Sequence, residues 1–196
     1  LTTECTRPNA GTGLRLDRSF LRGSIAALLC STVLAGMPGT ALGANTTWTG
    51  AVDNDWFTAG NWSLIVPGAT DNATLGSGFD TVIVIDGGTA DVNNMSVGVF
   101  DPATLTIQNG GRLHSNGFSY VGYGTGMTGT VSLHGDAAWY NTSDVIHIGV
   151  SGTGVVTVDS GSDVTAAGTA LGFEGPGVGN LTITGSGSAG TDTGAM

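Results

Sequence analysis

Val131-Ser132-Leu133-His134-Gly135 reads apolar, polar, apolar, polar, glycine. An alternation of period two puts Val131 and Leu133 on one face of a strand and the polar residues on the other. The same pattern recurs in Val82-Ile83-Val84-Ile85-Asp86-Gly87-Gly88, Leu105-Thr106-Ile107-Gln108-Asn109-Gly110-Gly111, Val156-Thr157-Val158-Asp159-Ser160-Gly161 and Leu181-Thr182-Ile183-Thr184-Gly185. The five segments start 23, 26, 25 and 25 residues apart. A second column has an apolar residue directly before glycine: Val97-Gly98, Val121-Gly122, Ile148-Gly149 and Leu171-Gly172, spaced 24, 27 and 23. Two independent columns with one mean period near 25 mark an internal repeat.

A unit of this length holds two or three short strands and their corners, and cannot bury its apolar face alone. Stacked units can, each strand pairing with its equivalents at about 4.8 Å. Val, Ile and Thr favour strands, and glycine permits the positive φ of tight corners. No stretch after residue 44 carries a capped 3.6-residue apolar pattern. The expected fold is therefore all-β: a single-stranded parallel β-helix of about 25 residues per coil, with five or six coils. A hairpin sandwich would place turns every 8–12 residues without a repeat at 25.

Residues 1–44 read as a leader. A basic stretch of Arg15, Arg18 and Arg22 precedes an 11-residue apolar run, Ile25 to Ala35, and then small residues through Ala44. This is the order of a cleaved secretory signal, and the run is too short for a span of about 20 residues. Cleavage fits after Ala41, Gly43 or Ala44. Residues 45–80 differ again: they hold Trp48, Trp56, Trp62 and Pro67. A solenoid exposes an unpaired ladder at its end, and this irregular aromatic segment is expected to cap it. The repeats then occupy 81–196.

Removing the leader removes both cysteines, Cys5 and Cys30, and leaves Arg112 as the single basic residue other than histidine. Thirteen acidic residues remain, for a formal charge of −12. Nothing then neutralises phosphate, so nucleic acid is not an expected partner. No disulfide can form, and stability must come from packing and backbone pairing.

The run Thr47-Trp48-Thr49-Gly50, Asp53-Asn54-Asp55-Trp56, Asn61-Trp62-Ser63, Pro67, Asp71 resembles the start of autotransporter passengers. Gly129-Thr130-Val131-Ser132-Leu133, Ala138-Trp139, Ile148-Gly149 and Gly152 to Val158 resemble the repeat shared by autotransporters and PEP-CTERM-associated proteins. The resemblance runs from residue 47 to about 188. It implies a β-helical passenger exported from a Gram-negative bacterium to the cell surface, outer membrane or medium. It also implies an outer-membrane barrel formed by the protein's own C-terminal domain. The barrel's strands of about 10 residues and aromatic girdles are not found in this chain, so the barrel is expected beyond Met196, the alternative being a different export route. The implied function is non-enzymatic adhesion or display, with glycans or proteins of a host or other surface as partners.

Candidate chemistry is sparse. Gly124 to Gly129 and Gly185 to Gly190 both fit G-x-G-x-x-G, but a dinucleotide site needs a strand before and a helix after. The first precedes a strand and the second a polar tail, so both read as corners. His114, His134 and His147 lack metal-ligand spacing, and no cysteine can join them. His147 is out of phase with Ile146 and Ile148 and should face solvent. Asp53 with Asp55, Asp159 with Asp163, and Asp136 with Asp159 are the carboxylate pairs on which glycoside chemistry could draw. Solvated turn residues account for them better. The G-G-x-G-x-D calcium repeat is absent. No catalytic, cofactor-binding or metal-binding residue is assigned, and no cofactor is expected. The competing function is a secreted carbohydrate-active β-helix, a polysaccharide lyase or hydrolase. It would show stacked exposed aromatics on one face, for which Trp139-Tyr140 is the sole hint.

Overall fold

The computed structural model describes residues 42–78 and 82–194. The expected leader lies outside the described residues except for its last three positions. The fold is a parallel β-solenoid of about six turns with about 25 residues per turn. Among the described residues the only helical element is one 3-10 turn, Ala59–Asn61.

One ladder contains β3 (Val82–Asp86), β6 (Ala103–Gln108), β9 (Thr128–His134), β11 (Thr153–Val158) and β13 (Val178–Ile183). Its register stacks Ile83, Leu105, Val131, Val156 and Leu181 in one column, and Ile85, Ile107, Leu133, Val158 and Ile183 in the next. The repeat in the sequence is thus a repeat in space. One position moves: Val82 pairs with Thr104, and Ile83 occupies the place assigned to Val82. A slip of one residue exchanges the two faces of a strand, which is why Ile83 is fully buried and Val82 is 43% exposed.

The other sheet carries two columns. One contains β4 (Thr89–Val92), β7 (Arg112–Ser115), the first part of β10 (Ala138–Ile148), the first part of β12 (Asp163–Leu171) and β14 (Ala189–Asp192). The second contains β1 (Asn45–Thr47), β2 (Asn72–Leu75), β5 (Met95–Val97), β8 (Ser119–Val121) and the later parts of β10 and β12. Leu75, Val97, Val121, Ile148 and Leu171 stack in it. The glycines that follow Val97, Val121, Ile148 and Leu171 all have positive φ, from 63° to 76°. Their backbones turn the chain out of the strand where a side chain has no room: a Cβ on Gly122 would meet the Thr153 carbonyl and lie 2.6 Å from Gly154 N.

A bulge in β10 contributes one residue to the 27-residue spacing between Val121 and Ile148, since Tyr140 pairs with His114 and Ile146 with Ser119, and it also shortens the spacing that follows to 23. β10 pairs with β12 through Asn141↔Ala166 and then Val145↔Gly168, so two extra residues bulge from β10. Buried Asn141 holds the bulge, its Nδ2 donating to Gly117 O at 3.0 Å and Ser119 Oγ at 2.9 Å while Oδ1 accepts from Asp144 N.

Trp48, Trp56 and Trp62 are buried, with Trp62 edge-on to both others. Asn61 organises the loop around them. Its Oδ1 accepts from Val52 N and Asp53 N, and its Nδ2 donates to Asp53 Oδ1 and Asp55 O. Trp56 N donates to Val84 O and Val84 N to Asn54 O, so this loop pairs with the edge of β3. β1 does the same for β2. At the opposite end Leu171, Val178 and Ile183 are exposed.

Candidate binding site

The site grows from the period-two rule on β8 and β10. Ser119 and Val121 point inward, so Tyr120 points outward; Ile146 and Ile148 point inward, so His147 points outward. The register then places His147 directly on Tyr120, with Ser96 on one side of the pair and Ala170 on the other. A second set of rings enters from the positions just after the glycine column. Tyr123 N donates to Gly98 O and Phe173 N to Gly149 O, which gives these two residues the same place around the coil. Phe118, immediately before β8, completes the group.

These rings touch in sequence. Ring centroids are 6.0 Å apart for Phe118–Tyr120, 5.1 Å for Tyr120–Tyr123, 5.3 Å for Tyr120–His147 and 4.7 Å for His147–Phe173. Phe118, Tyr123 and Phe173 are 47%, 45% and 58% exposed, and Phe100 beside them 70%. A cleft of about 440 Å³ lies between this strip and the Ser151–Glu174 edge. A second, of about 350 Å³, lies on the Asn94–Ser96 side and shares Phe118, Tyr120 and Tyr123 with the first. The two form one trough interrupted only by rings.

Burial dominates the electrostatics. It holds His147 below the usual histidine range, against the opposing pull of Asp144. The phenol of Tyr120 is pushed up by burial first, and then by the nearby Tyr123, Asp144 and Glu174. Both groups are therefore neutral at pH 7. His147 Nδ1 is buried without a partner. An orphan lone pair is tolerated better than an orphan N–H, so the proton belongs on Nε2. Glu174 accepts from Ser151 Oγ at 3.3 Å. The strip thus offers aromatic faces, phenol hydroxyls and one carboxylate.

Two expectations are corrected. His147 is on the outer face as its phase requires, but it is only 8% exposed because the neighbouring rings cover it. Trp139 is no surface aromatic: it stacks between Leu113 and Val164, fully buried, with Nε1 donating to Ser115 Oγ at 2.9 Å. The aromatic face of the molecule lies elsewhere on the coil. Its rings are far apart in sequence, and only the register at residues 96, 120, 147 and 170 brings them together.

Asp53 and Asp55 are engaged in local turn hydrogen bonds. Asp53 Oδ1 accepts from Asp55 N and Asn61 Nδ2, and Asp55 Oδ1 from Phe57 N, as turn carboxylates do. The Asn61 amide and then the Asp55 N–H lower the pKa of Asp53. Asp136 N donates to Ser160 O but Asp159 N to Leu133 O, so the two occupy different places around the coil. Gly124 to Gly129 forms a turn, Met127 N donating to Gly124 O, and runs straight into β9. His134 ends β9 opposite Gln108.

His114 is better placed than its sequence suggested. It pairs with Asp91 below and Tyr140 above, its Nδ1 lies 3.1 Å from Asp91 Oδ1, and Arg112 Nη1 donates to Tyr140 Oη at 3.2 Å. Ser115 beside the pair has its Oγ occupied by Trp139 and Ser119. Among the described residues no three His, Cys, Asp or Glu side chains gather as a metal site requires. Comparison with known proteins finds no matching family model, no matching curated protein and no matching solved structure.

Proposed function

We propose that this chain is a secreted or surface-exposed passenger module of the autotransporter type, which works by contact and display and not by turnover. The observation that carries the reading is the uninterrupted parallel ladder. A stack of rungs extends by repetition, needs no disulfide, and presents its outer side chains at fixed spacing along one axis. The acidic surface discourages adsorption to phosphate-rich polymers and anionic membranes. The leader in the sequence supports export.

Export is tested by expressing the whole gene with an epitope inserted at Gly126, an exposed turn. Antibody should label intact cells or recover the protein from the medium. Retention of the full-length chain in the cytosol would remove the reading.

The carbohydrate-active alternative gains one specific observation, the ring-lined trough on a single face. Incubation with a panel of polysaccharides decides between the two. New reducing ends or unsaturated products would establish the enzyme, and unchanged polymer is the outcome expected here.

A further inference from the structure

We propose that the aromatic strip of Phe118, Tyr120, Tyr123, His147 and Phe173 is a binding groove for a neutral polysaccharide chain lying along the solenoid axis. The inference deepens the contact reading above by naming its ligand, and rests on it.

The rings do not belong to the core. The core is filled by the inward aliphatic columns and the buried tryptophans, while Phe118, Tyr123 and Phe173 keep about half their surface in water. Such a contiguous aromatic patch on the outer face marks an interaction site. Its shape selects the ligand. Rings in contact at 4.7–6.0 Å, with interplanar angles from 11° to 70°, leave no gap that could surround a cation, so this is a ridged platform and not a cage. A platform takes a flat, amphipathic partner, and the apolar face of a pyranose ring is one. Its hydroxyls would meet donors and acceptors along the edges of the trough: Thr125 and Ser151 on one side, Asn94 and Ser96 on the other.

Periodicity gives the direction. Tyr120, His147 and the Phe173 turn belong to three successive rungs. Rungs about 4.8 Å apart place them over roughly 10 Å, and the single-rung spacing is close to the advance per residue of an extended β-linked hexose chain. The exposed rings Tyr123 and Phe173 stand two rungs apart, with His147 covered between them, so they can serve sugars two residues apart. Charge gives the class. With thirteen acidic residues against one arginine after residue 44, and Asp144 and Glu174 near Tyr120, uronic or sulfated chains are repelled and uncharged ones are not.

The test is calorimetric titration of the purified chain with hexasaccharides of β-1,4-glucan, β-1,4-mannan and β-1,3-glucan, and with hexagalacturonate as the anionic control. At least one neutral hexasaccharide should bind, and hexagalacturonate at least tenfold more weakly. Tyr123→Ala and Phe173→Ala should each weaken binding tenfold or more with circular dichroism unchanged. Tyr140→Ala, beside His114 on another column, should not. Absence of neutral binding, binding insensitive to both strip variants, or preference for the anionic chain would overturn the proposal. So would concentration-dependent dimerisation abolished by Tyr123→Ala, which would assign the strip to self-association. The outcomes separate from those of the proposed function: an exported chain that binds no sugar keeps its display role and loses this groove, and a chain that binds and cleaves keeps the groove and loses the non-enzymatic reading.

Discussion

Gly122 and Gly126 form a matched pair for testing the ladder. Both have φ of 74°, both lie in one coil, and they differ in what surrounds the missing side chain. A Cβ on Gly126 would meet nothing within 4 Å. A Cβ on Gly122 would collide with the Thr153 carbonyl at the next rung and lie 2.6 Å from Gly154 N. For alanine the left-handed backbone costs about 1–2 kcal/mol, offset by about 0.4–1 kcal/mol because the unfolded chain loses freedom. Gly126→Ala should therefore cost about 1 kcal/mol or less. Gly122→Ala carries the same terms and must also push Thr153 and Gly154 away. Overpacking strain is about 1–3 kcal/mol, and the neighbouring Gly122 N to Val97 O and Val150 N to Gly122 O bonds stand to lose about 1 kcal/mol each. The difference between the variants should be about 3 kcal/mol, or roughly 10 °C in Tm for a domain of this size. Urea unfolding followed by tryptophan fluorescence and far-ultraviolet circular dichroism measures it, with the denaturant slope checked for constancy. Equal losses for the two variants would show that the Gly122 backbone does not approach the rung above, and the inferred stacking of coils would fail with it.

Other consequences are simpler to state. Ser115→Ala leaves the buried Trp139 indole N–H without its acceptor and should destabilise by about 1–3 kcal/mol in the same unfolding assay. Asn61→Ala strips two backbone donors and two acceptors of their partner in the tryptophan loop. Roughly 3 kcal/mol should be lost, with Trp48, Trp56 and Trp62 becoming accessible to acrylamide at lower urea than the rest of the chain unfolds. His147 has a folded pKa below its unfolded one, so the unfolded chain takes up the proton first and stability falls as pH drops below about 6.5. The groups facing it are Asp144, Glu174 and Tyr120. His147→Gln should flatten the wild-type loss between pH 7.5 and 5, and identical slopes would show that the imidazole is not desolvated.

The sequence carried the coil length, because inward aliphatics at period two and corner glycines at period 25 are both local chemistry. It also placed Asn61 and the three tryptophans outside the repeat. It misplaced the first rung by one residue, since Val82-Ile83-Val84-Ile85 is apolar at every position and gives no phase. Only pairing with Thr104 and Leu105 settles which residues turn inward. The extra residues near Asn141 were visible as a spacing of 27, yet the bulge they form was not.

What the residues alone determined is a repeating strand with one apolar face and no means of covering it except by another copy of itself. What the tertiary structure decided is which outward residues become neighbours. Phe118, Tyr120, Tyr123, His147 and Phe173 are separated by up to 55 positions in the chain. They meet because parallel register lays residue upon residue between successive coils, and a change of one residue in any coil would turn that coil's ring to the opposite face. The binding face is therefore a property of the register, which arises between strands and is written in none of them singly.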